Sequence, residues 1–439
     1  MHWLSMTVVA TLVATPALAQ EGHEHGAQHQ APLNPHAGHN AADEFGGQVD
    51  PMSGGMTAAL GSYPMGREAS GTAWQPDASS HGGVHNEAGA WTLMNHVMLN
   101  AVYDWQDGPR GGEKTFLAGM IMGSARRTLG ADGTLNLRAM LSPDPLMGDD
   151  GYPLLFAAGE SADGVNPLVD RQHPHDLFME LSASYAHQIG AGDSLFVYAG
   201  LPGEPAFGPP AFMHRMAAMD SPEAPITHHW FDSTHITFGV VTAGWVHDTW
   251  KLEASRFRGR EPDEQRYDIE SGALDSTAVR LSWNPTENLS LQTSWADIES
   301  PEALEPDHDE ERWSVSGIYT RPVADGWFSL TGAFANKHRS DGVSLDAWLG
   351  EAALHPNDRW TFFARGERIE TDELEGGGHG HVNTVSRLSL GAIRDFRIHE
   401  NAVIGVGALA QRHIAPEDLE PLYGGDPAGA MAFIRLKVG

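Results

Sequence analysis

The chain has 439 residues, a formal net charge of −31 at pH 7 and no cysteine. The negative charge disfavours nucleic-acid partners, and the absence of thiols excludes disulfide scaffolds, haem attachment through cysteine, iron–sulfur centres and thiolate metal sites. Any metal chemistry must therefore use histidine, methionine or carboxylate ligands. No apolar stretch after residue 19 is long enough for a transmembrane helix, so a membrane location would require β-strands.

Residues 1–19, MHWLSMTVVATLVATPALA, have the pattern of a secretory signal peptide. They contain no Asp, Glu, Lys or Arg, hold an apolar run from Val8 to Val13, and end in Ala17-Leu18-Ala19. We therefore predict export and cleavage after Ala19. An uncleaved membrane anchor is the alternative, but the apolar run is shorter than the roughly 20 residues needed to span a bilayer.

Residues 20–88 are rich in Gly, His, Ala, Ser and Pro and contain few aliphatic residues. This composition predicts a disordered periplasmic arm, because too little apolar surface is available to offset the entropy lost on folding. Histidines in such an arm have no core to pack into, so we interpret them as metal ligands of modest affinity; a linker that merely tolerates histidine is the alternative. The candidate ligands of the arm are His23, His25, His29, His36 and His39, followed by the methionines Met52, Met56 and Met65.

From residue 89 to residue 439, apolar and polar residues alternate along successive segments. In NLSLQTSWAD, for example, Leu289, Leu291 and Trp295 fall on one face and Ser290 and Ser294 on the other. A period of two predicts strands with one apolar face. The polar faces include charged residues, which would be costly in a dry core and are ordinary in the wet lumen of a barrel.

The connections between these segments predict how they are arranged. Short connections, such as 130–133 and 284–288, strictly alternate with long polar ones, such as 297–312 and 412–429. This is typical of an outer-membrane up-and-down barrel with tight periplasmic turns and longer external loops. We therefore predict an all-β, transmembrane antiparallel β-barrel of about sixteen strands over residues 89–439. Tryptophans near both ends of the strands fit two interfacial girdles: Trp250, Trp283, Trp327 and Trp360 at the short turns, and Trp295 and Trp313 at the long loops. A soluble all-β protein is the alternative.

Two long loops carry most of the remaining histidines and methionines. They span 161–182, between the predicted third and fourth strands, and 202–237, between the fifth and sixth, so both are expected at the external mouth. Imidazole with thioether suits copper, particularly Cu(I), and imidazole with carboxylate suits zinc or Cu(II). Each histidine taken singly is more often structural, and the three-residue spacing of the methionines also fits an apolar plug. The candidate metal ligands of the loops are His173, His175, Asp176, Met213, His214, Met216, Met219, His228, His229 and His235.

A resemblance to a known family rests on three sequence blocks: DRQHPHDLFMELSASYAHQ, GEPAFGPPAFMHR and PEAPITHHWFDSTHITFGV. The chain resembles a family of barrel-type proteins of Gram-negative bacteria that tends to be encoded among copper and other heavy-metal resistance genes. The His/Met-rich arm before a barrel is also similar in layout to the outer-membrane copper-resistance B proteins, without a motif-level match. The resemblance implies a location in the outer membrane, among its lipids, and a metal-handling context. A periplasmic metal chaperone or efflux system would then be a partner.

Three hypotheses follow for function. The first is an outer-membrane protein of heavy-metal resistance that binds copper or a similar cation through its arm and loops, or passes it through the barrel. The alternative is a general porin-like channel with incidental histidines and a basic lumen, whose charges could instead be paired with inward carboxylates such as Glu367. The third is an outer-membrane hydrolase, which we do not expect because no serine stands in a recognisable nucleophile setting. The basic residues of the predicted lumen are Arg280, Arg365, Arg387, Arg435 and Lys437.

Overall fold

The computed structural model describes residues 56–80, 82–375 and 380–439. All of them belong to one compact unit, 46–439. The predicted signal peptide and the histidines of the arm, from His23 to His39, lie outside the described residues.

Sixteen antiparallel strands close into a barrel, as predicted. Each strand pairs with the next along the chain, and the last pairs with the first: Ile434 of the last strand lies opposite Ala101 of the first. The barrel strands are β2 (Trp91–Gln106), β3 (Gly112–Leu129), β4 (Gly133–Leu141), β7 (Phe178–Gly190), β8 (Asp193–Gly200), β9 (Val240–His247), β10 (Trp250–Phe257), β11 (Ser276–Thr286), β12 (Leu289–Ile298), β13 (Glu310–Val323), β14 (Gly326–Arg339), β15 (Ser344–Asn357), β16 (Trp360–Thr371), β17 (Asn383–His399), β18 (Ala402–Ile414) and β19 (Ala428–Val438).

The remaining elements are short and lie between or before the barrel strands. Strand β1 (Val84–Ala88) pairs with the first half of β2, and β5 (Tyr152–Ser161) pairs with β6 (Pro167–Gln172) as a separate hairpin. The α-helices are α1 (His228–Phe231) and α2 (Glu420–Tyr423), and single 3₁₀ turns form at Met65–Arg67, Asp144–Met147, Phe212–His214, Ser233–His235 and Glu417–Leu419. No helix among the described residues is long and apolar enough to cross a membrane.

The alternation along the strands separates a lipid-like outer face from a charged inner face. On β11, Val279 is 36% exposed and the next residue, Arg280, is 1% exposed. Trp295 and Trp313 lie opposite each other on the outer face, and Trp250 stacks on Trp283 at the other end of the strands. The outer face is therefore apolar with aromatic residues near both rims, as a wall in contact with lipid requires.

One rim of the barrel carries only tight connections, and we call it the turn rim. Its seven turns contain two or three residues each, from 130–132 to 400–401. The opposite rim, the loop rim, carries the long segments 142–177, 201–239 and 258–275, but also the short connections 107–111 and 340–343. The predicted strict alternation of short and long connections is therefore wrong at two positions, where β2–β3 and β14–β15 close as compact hairpins.

The two long loops fold into the lumen from the loop rim. We name 142–177 the hairpin loop, because it contains β5 and β6, and 201–239 the constriction loop. Among the described side chains of the constriction loop, only Leu201 is exposed. Its carboxylates meet arginines of the barrel wall: Glu223 lies 3.3 Å from Arg387, and Asp220 contacts Arg435.

Residues 56–80 also enter the lumen, from the turn rim, and we call them the plug segment. Arg67 pairs with Asp77 at 2.6 Å and donates to the backbone oxygen of Asp248 in a tight turn. Trp74 is buried in a cluster that includes Phe196 of the wall. The sequence predicted a disordered arm up to residue 88, whereas 56–80 and β1 are folded against the barrel. The reason is that the few aromatic and charged residues of this segment find partners on the wall, which the segment's own composition does not reveal.

Candidate metal centre

Three histidines converge inside the barrel and form what we call the three-His site. His175 follows β6 in the hairpin loop, and His228 and His235 belong to α1 and the next 3₁₀ turn of the constriction loop. All three are buried, and one ring nitrogen from each lies within 4.8 Å of the others. A tetrahedral ion about 2.0–2.1 Å from each nitrogen sets nitrogen–nitrogen separations of about 3.3 Å, so ligation requires the rings to close by at most about 1.5 Å.

Each ring of the three-His site is oriented through its Nδ1 atom. His175 Nδ1 lies 2.8 Å from a carboxylate oxygen of Asp144, and His228 Nδ1 lies 2.8 Å from Asp232. His235 Nδ1 donates to the backbone oxygen of Asp232 at 2.5 Å. With Nδ1 protonated toward these acceptors, the Nε2 lone pair remains for an ion, which is the arrangement that metal-ligating histidines ordinarily show.

The Nε2 atoms of the site are the notable feature of its hydrogen bonding. Those of His175 and His235 are buried and have no hydrogen-bond partner among the described residues. Buried polar atoms are nearly always paired, so two unpaired nitrogens within one cluster of imidazoles call for an explanation. A bound cation would satisfy both.

The protonation states also suit ligation. Burial lowers the pKa of His228, although Asp232 opposes the shift, and burial lowers the pKa of His235 well below its ordinary value. Burial also acts to lower the pKa of His175, but the hydrogen bond that His175 donates to Asp144 outweighs it and raises that pKa. Two of the three rings are therefore neutral at pH 7, the form in which imidazole binds metals.

Asp232 connects the site to the barrel wall. Its second oxygen accepts from Arg215 at 2.8 Å, and Arg215 in turn pairs with Glu351 of β15 at 2.8 Å. Burial alone would raise the pKa of Asp232, but His228 and Arg215 hold it well below its usual range. The constriction loop thus holds His228 through a carboxylate that is itself fixed to a strand.

The hairpin loop is held in a strained conformation beside the site. Phe156, Glu160 and Asp170 all have positive φ, which is uncommon outside glycine. Asp170 accepts from the backbone nitrogen of Phe156 at 2.8 Å and from the hydroxyl of Tyr423 at 2.9 Å. Gly159 has φ +116°, and a Cβ there would lie 2.7 Å from the ring of His229. Such over-determined strain is often found at functional sites.

The other predicted ligands of the loops lie in three different surroundings. His173 and His229 lie beside the three-His site, with their ring centroids 5.7 Å apart, and their Nδ1 atoms face Glu160 at 3.2 Å and Glu261 at 3.6 Å. Asp176 instead lies 3.5 Å from Arg266, and burial raises its pKa to about 7. A separate cavity is lined by His214 and by the three predicted methionine ligands, Met213, Met216 and Met219. The sequence analysis did not identify Asp144 as a site residue. Its only indication in the sequence was its position after a predicted strand.

An even number of antiparallel strands closed into a ring, with an apolar outer face and a polar interior, is the class of architecture that crosses bacterial outer membranes. No protein-family model matches the chain, and no curated protein sequence matches it either. Solved structures of porins are similar in fold. OmpF of Salmonella typhi in complex with daunomycin matches with a TM-score of 0.53 and 10% identity, covering 81% of this chain and 100% of that one.

Two further solved structures show the same kind of likeness at lower scores. An anion-selective porin from Comamonas acidovorans has a TM-score of 0.49 and 7% identity, with coverage of 79% of this chain and 99% of that one. In-vitro folded OmpT of Vibrio cholerae has a TM-score of 0.44 and 7% identity, with coverage of 80% and 98%. On the comparison with OmpF, the fold of this chain is porin-like. These comparisons give no support to an association with copper-resistance genes.

Proposed function

We propose that this chain is an outer-membrane barrel that binds a divalent transition-metal ion, Zn²⁺ or Cu²⁺, at the three-His site in its lumen. The convergence of His175, His228 and His235 carries the proposal, because each ring is held through Nδ1 by an oxygen acceptor and one nitrogen of each ring lies within 4.8 Å of the others. Three imidazole ligands suit zinc and Cu(II).

The position in the outer membrane is part of the same proposal. It is supported by the apolar outer wall, by the tryptophans at both rims and by the porin-like fold. The surrounding lipid would contact residues such as Val279 and Trp295. The three-His site would lie within the lumen, where two loops from the loop rim meet.

The ion would be held at the three-His site or would pass through the barrel. The neighbouring carboxylates Asp144 and Asp232 supply negative charge that compensates the cation. An ion bound there would also tie the hairpin loop to the constriction loop, because His175 belongs to one and His228 to the other. Metal binding would then stabilise the infolded state of both loops.

Equilibrium dialysis against Zn²⁺ and Cu²⁺, followed by elemental analysis, tests the proposal on the full mature chain. One variant changes His175 and His235 to alanine, and a matched control changes the exposed His187 and His399. Both are made in the native background and in one where His23, His25, His29, His36 and His39 are changed to asparagine. We expect the site variant, in either background, to lose one equivalent that the control retains. Equal stoichiometry in the site variant and the control would overturn the proposal.

A porin-like channel with no metal role is the second candidate, and the fold comparisons favour it. The lumen arginines also suit passage of small anions, but each is already engaged: Arg387 lies 2.7 Å from Glu367, and Arg280 lies 2.9 Å from Glu253. Planar-bilayer conductance separates the candidates. A general channel conducts equally with and without Zn²⁺, whereas an ion that ties the two loops together should lower conductance.

A further inference from the structure

A second cluster of metal-binding side chains lies apart from the three-His site. A cavity of about 90 Å³ inside the barrel is lined by eight of the sixteen methionines of the chain. We call it the methionine cavity. Its methionines are Met56, Met65, Met94, Met120, Met122, Met213, Met216 and Met219.

These methionines come from four separate parts of the chain. Met56 and Met65 belong to the plug segment, Met94 to β2, and Met120 and Met122 to β3, and the constriction loop supplies the other three. On β2 and β3 the side chains at alternate positions face inward, so the strand period itself directs these thioethers into the lumen. The convergence is thus a product of the tertiary fold and not of one methionine-rich stretch.

Simple packing accounts poorly for this distribution. Methionine fills irregular gaps in cores, but gap fillers are used sparingly and are interchangeable with leucine. Here the thioethers surround a space that contains polar groups as well: Glu68, His96 and His214 line the same cavity. An apolar core would exclude such groups, whereas a binding site for a soft cation would combine them with sulfur.

The charges around the cavity allow a monovalent cation. Arg126 and Arg138 also line it, but Arg138 lies 2.8 Å from Glu180, and Arg126 donates to the backbone oxygen of Thr57. Glu68 contributes a carboxylate, which accepts from the backbone nitrogen of Leu60 at 2.9 Å.

The methionine cavity also adjoins the three-His site. Met213 and His214 line both this cavity and a smaller one of about 10 Å³, and His235 lines the smaller one. The plug segment forms part of the methionine cavity on the side of the turn rim.

We infer that the methionine cavity is a binding site for a soft monovalent cation, Cu(I) or its redox-inert analogue Ag(I). Thioethers select such ions, and no thiolate competes in this chain because it contains no cysteine. The inference does not rest on the three-His site, since the two sites use different side chains and prefer different ions.

Titration of the full mature chain with Ag⁺ tests the inference. The cavity variant changes Met94, Met120 and Met122 to leucine, which nearly conserves volume. The matched control changes Met98, Met147 and Met431 to leucine; these methionines are buried, as Met120 and Met122 are, but do not line the cavity. We expect the native chain and the control to bind one more equivalent of Ag⁺ than the cavity variant. With Cu(I) under reducing conditions, X-ray absorption should show sulfur ligands in the native chain and lose them in the cavity variant.

Equal Ag⁺ binding by the native chain and the cavity variant would overturn the inference, and so would an equal loss in the control. If the triple variant does not fold, single changes at Met94 and Met122 should each weaken Ag⁺ binding, and unchanged affinity in both would overturn it as well. Zn²⁺ binding measured on the same variants keeps the two proposals separate. Loss of Ag⁺ with unchanged Zn²⁺ supports the methionine cavity whatever the outcome at the three-His site.

Discussion

The change Asp144→Asn tests whether the three-His site is organised for a metal. Asp144 holds the ring of His175 through a buried contact of 2.8 Å to Nδ1. An asparagine that turns its oxygen toward Nδ1 keeps the tautomer and removes only the charge. One that turns its amide nitrogen there forces the proton onto Nε2, which can then no longer bind an ion.

The expected loss of metal affinity follows from the role of carboxylates that accept a hydrogen bond from a metal-ligating histidine. Their loss typically lowers metal affinity about 10- to 100-fold, which corresponds to about 1.4–2.7 kcal/mol. We expect Asp144→Asn to weaken Zn²⁺ or Cu²⁺ binding within this range and to leave one binding equivalent, because all three imidazoles remain. An asparagine that turns its oxygen toward Nδ1 would give the smaller loss of affinity, and one that turns its amide nitrogen there would give the larger loss.

The assay is a competition titration of Zn²⁺ against a chelator, with the Cu²⁺ EPR spectrum as a second readout of the ligand field. Asp149→Asn is the matched control, because Asp149 lies in the same loop and is exposed. An affinity for Asp144→Asn equal to that of the control would refute the reasoning, since it would mean that the contact with His175 is structural only.

Three further changes probe the segments that hold the sites. Arg67→Ala removes two of the contacts that position the plug segment and should raise single-channel conductance in planar bilayers, whereas unchanged conductance would mean that the segment stays in place without them. Glu223→Gln should destabilise the barrel by about 2 kcal/mol in urea unfolding, less than the about 3–5 kcal/mol of a broken buried pair, because Arg387 keeps its contact with Glu367. A loss near zero would show that this pair is already solvated. Gly159→Ala should lower metal affinity by displacing the hairpin loop, because its φ is +116° and the new Cβ would meet a histidine ring; native affinity would contradict this.

The barrel could be predicted because its signals are local. The period of two along a strand such as β12 reports which face is apolar, and the tight turns report where one strand gives way to the next. The pairing of lumen arginines with inward carboxylates was likewise foreseeable, and Arg387 indeed contacts Glu367 at 2.7 Å. Charges on the inner face of a closed wall have few other partners.

The sites were only partly predictable because they depend on the meeting of distant segments. The position of both loops at one rim predicted that their histidines would cluster, but not that His175, His228 and His235 would form the closest group. Met94 and Met120 gave no signal of their own, because an inward methionine on a strand reads as one more apolar residue in the alternation. Residues 56–80 read as disordered because their partners lie on the wall.

The buried ion pairs explain how a barrel of porin-like fold can hold loops in its lumen. Removing charges from water is costly, and a buried pair is a weak source of net stability. Its directional contacts do, however, fix the positions of the groups that it joins. Arg215 contacts Glu351 on the wall and Asp232 in the loop, each at 2.8 Å. Because Asp232 also orients His228, the same chain of contacts that fixes the constriction loop to the wall fixes a ligand of the three-His site. Any movement that opened the lumen by withdrawing this loop would therefore also dismantle the proposed metal site, so metal binding and the infolded loop should be thermodynamically linked.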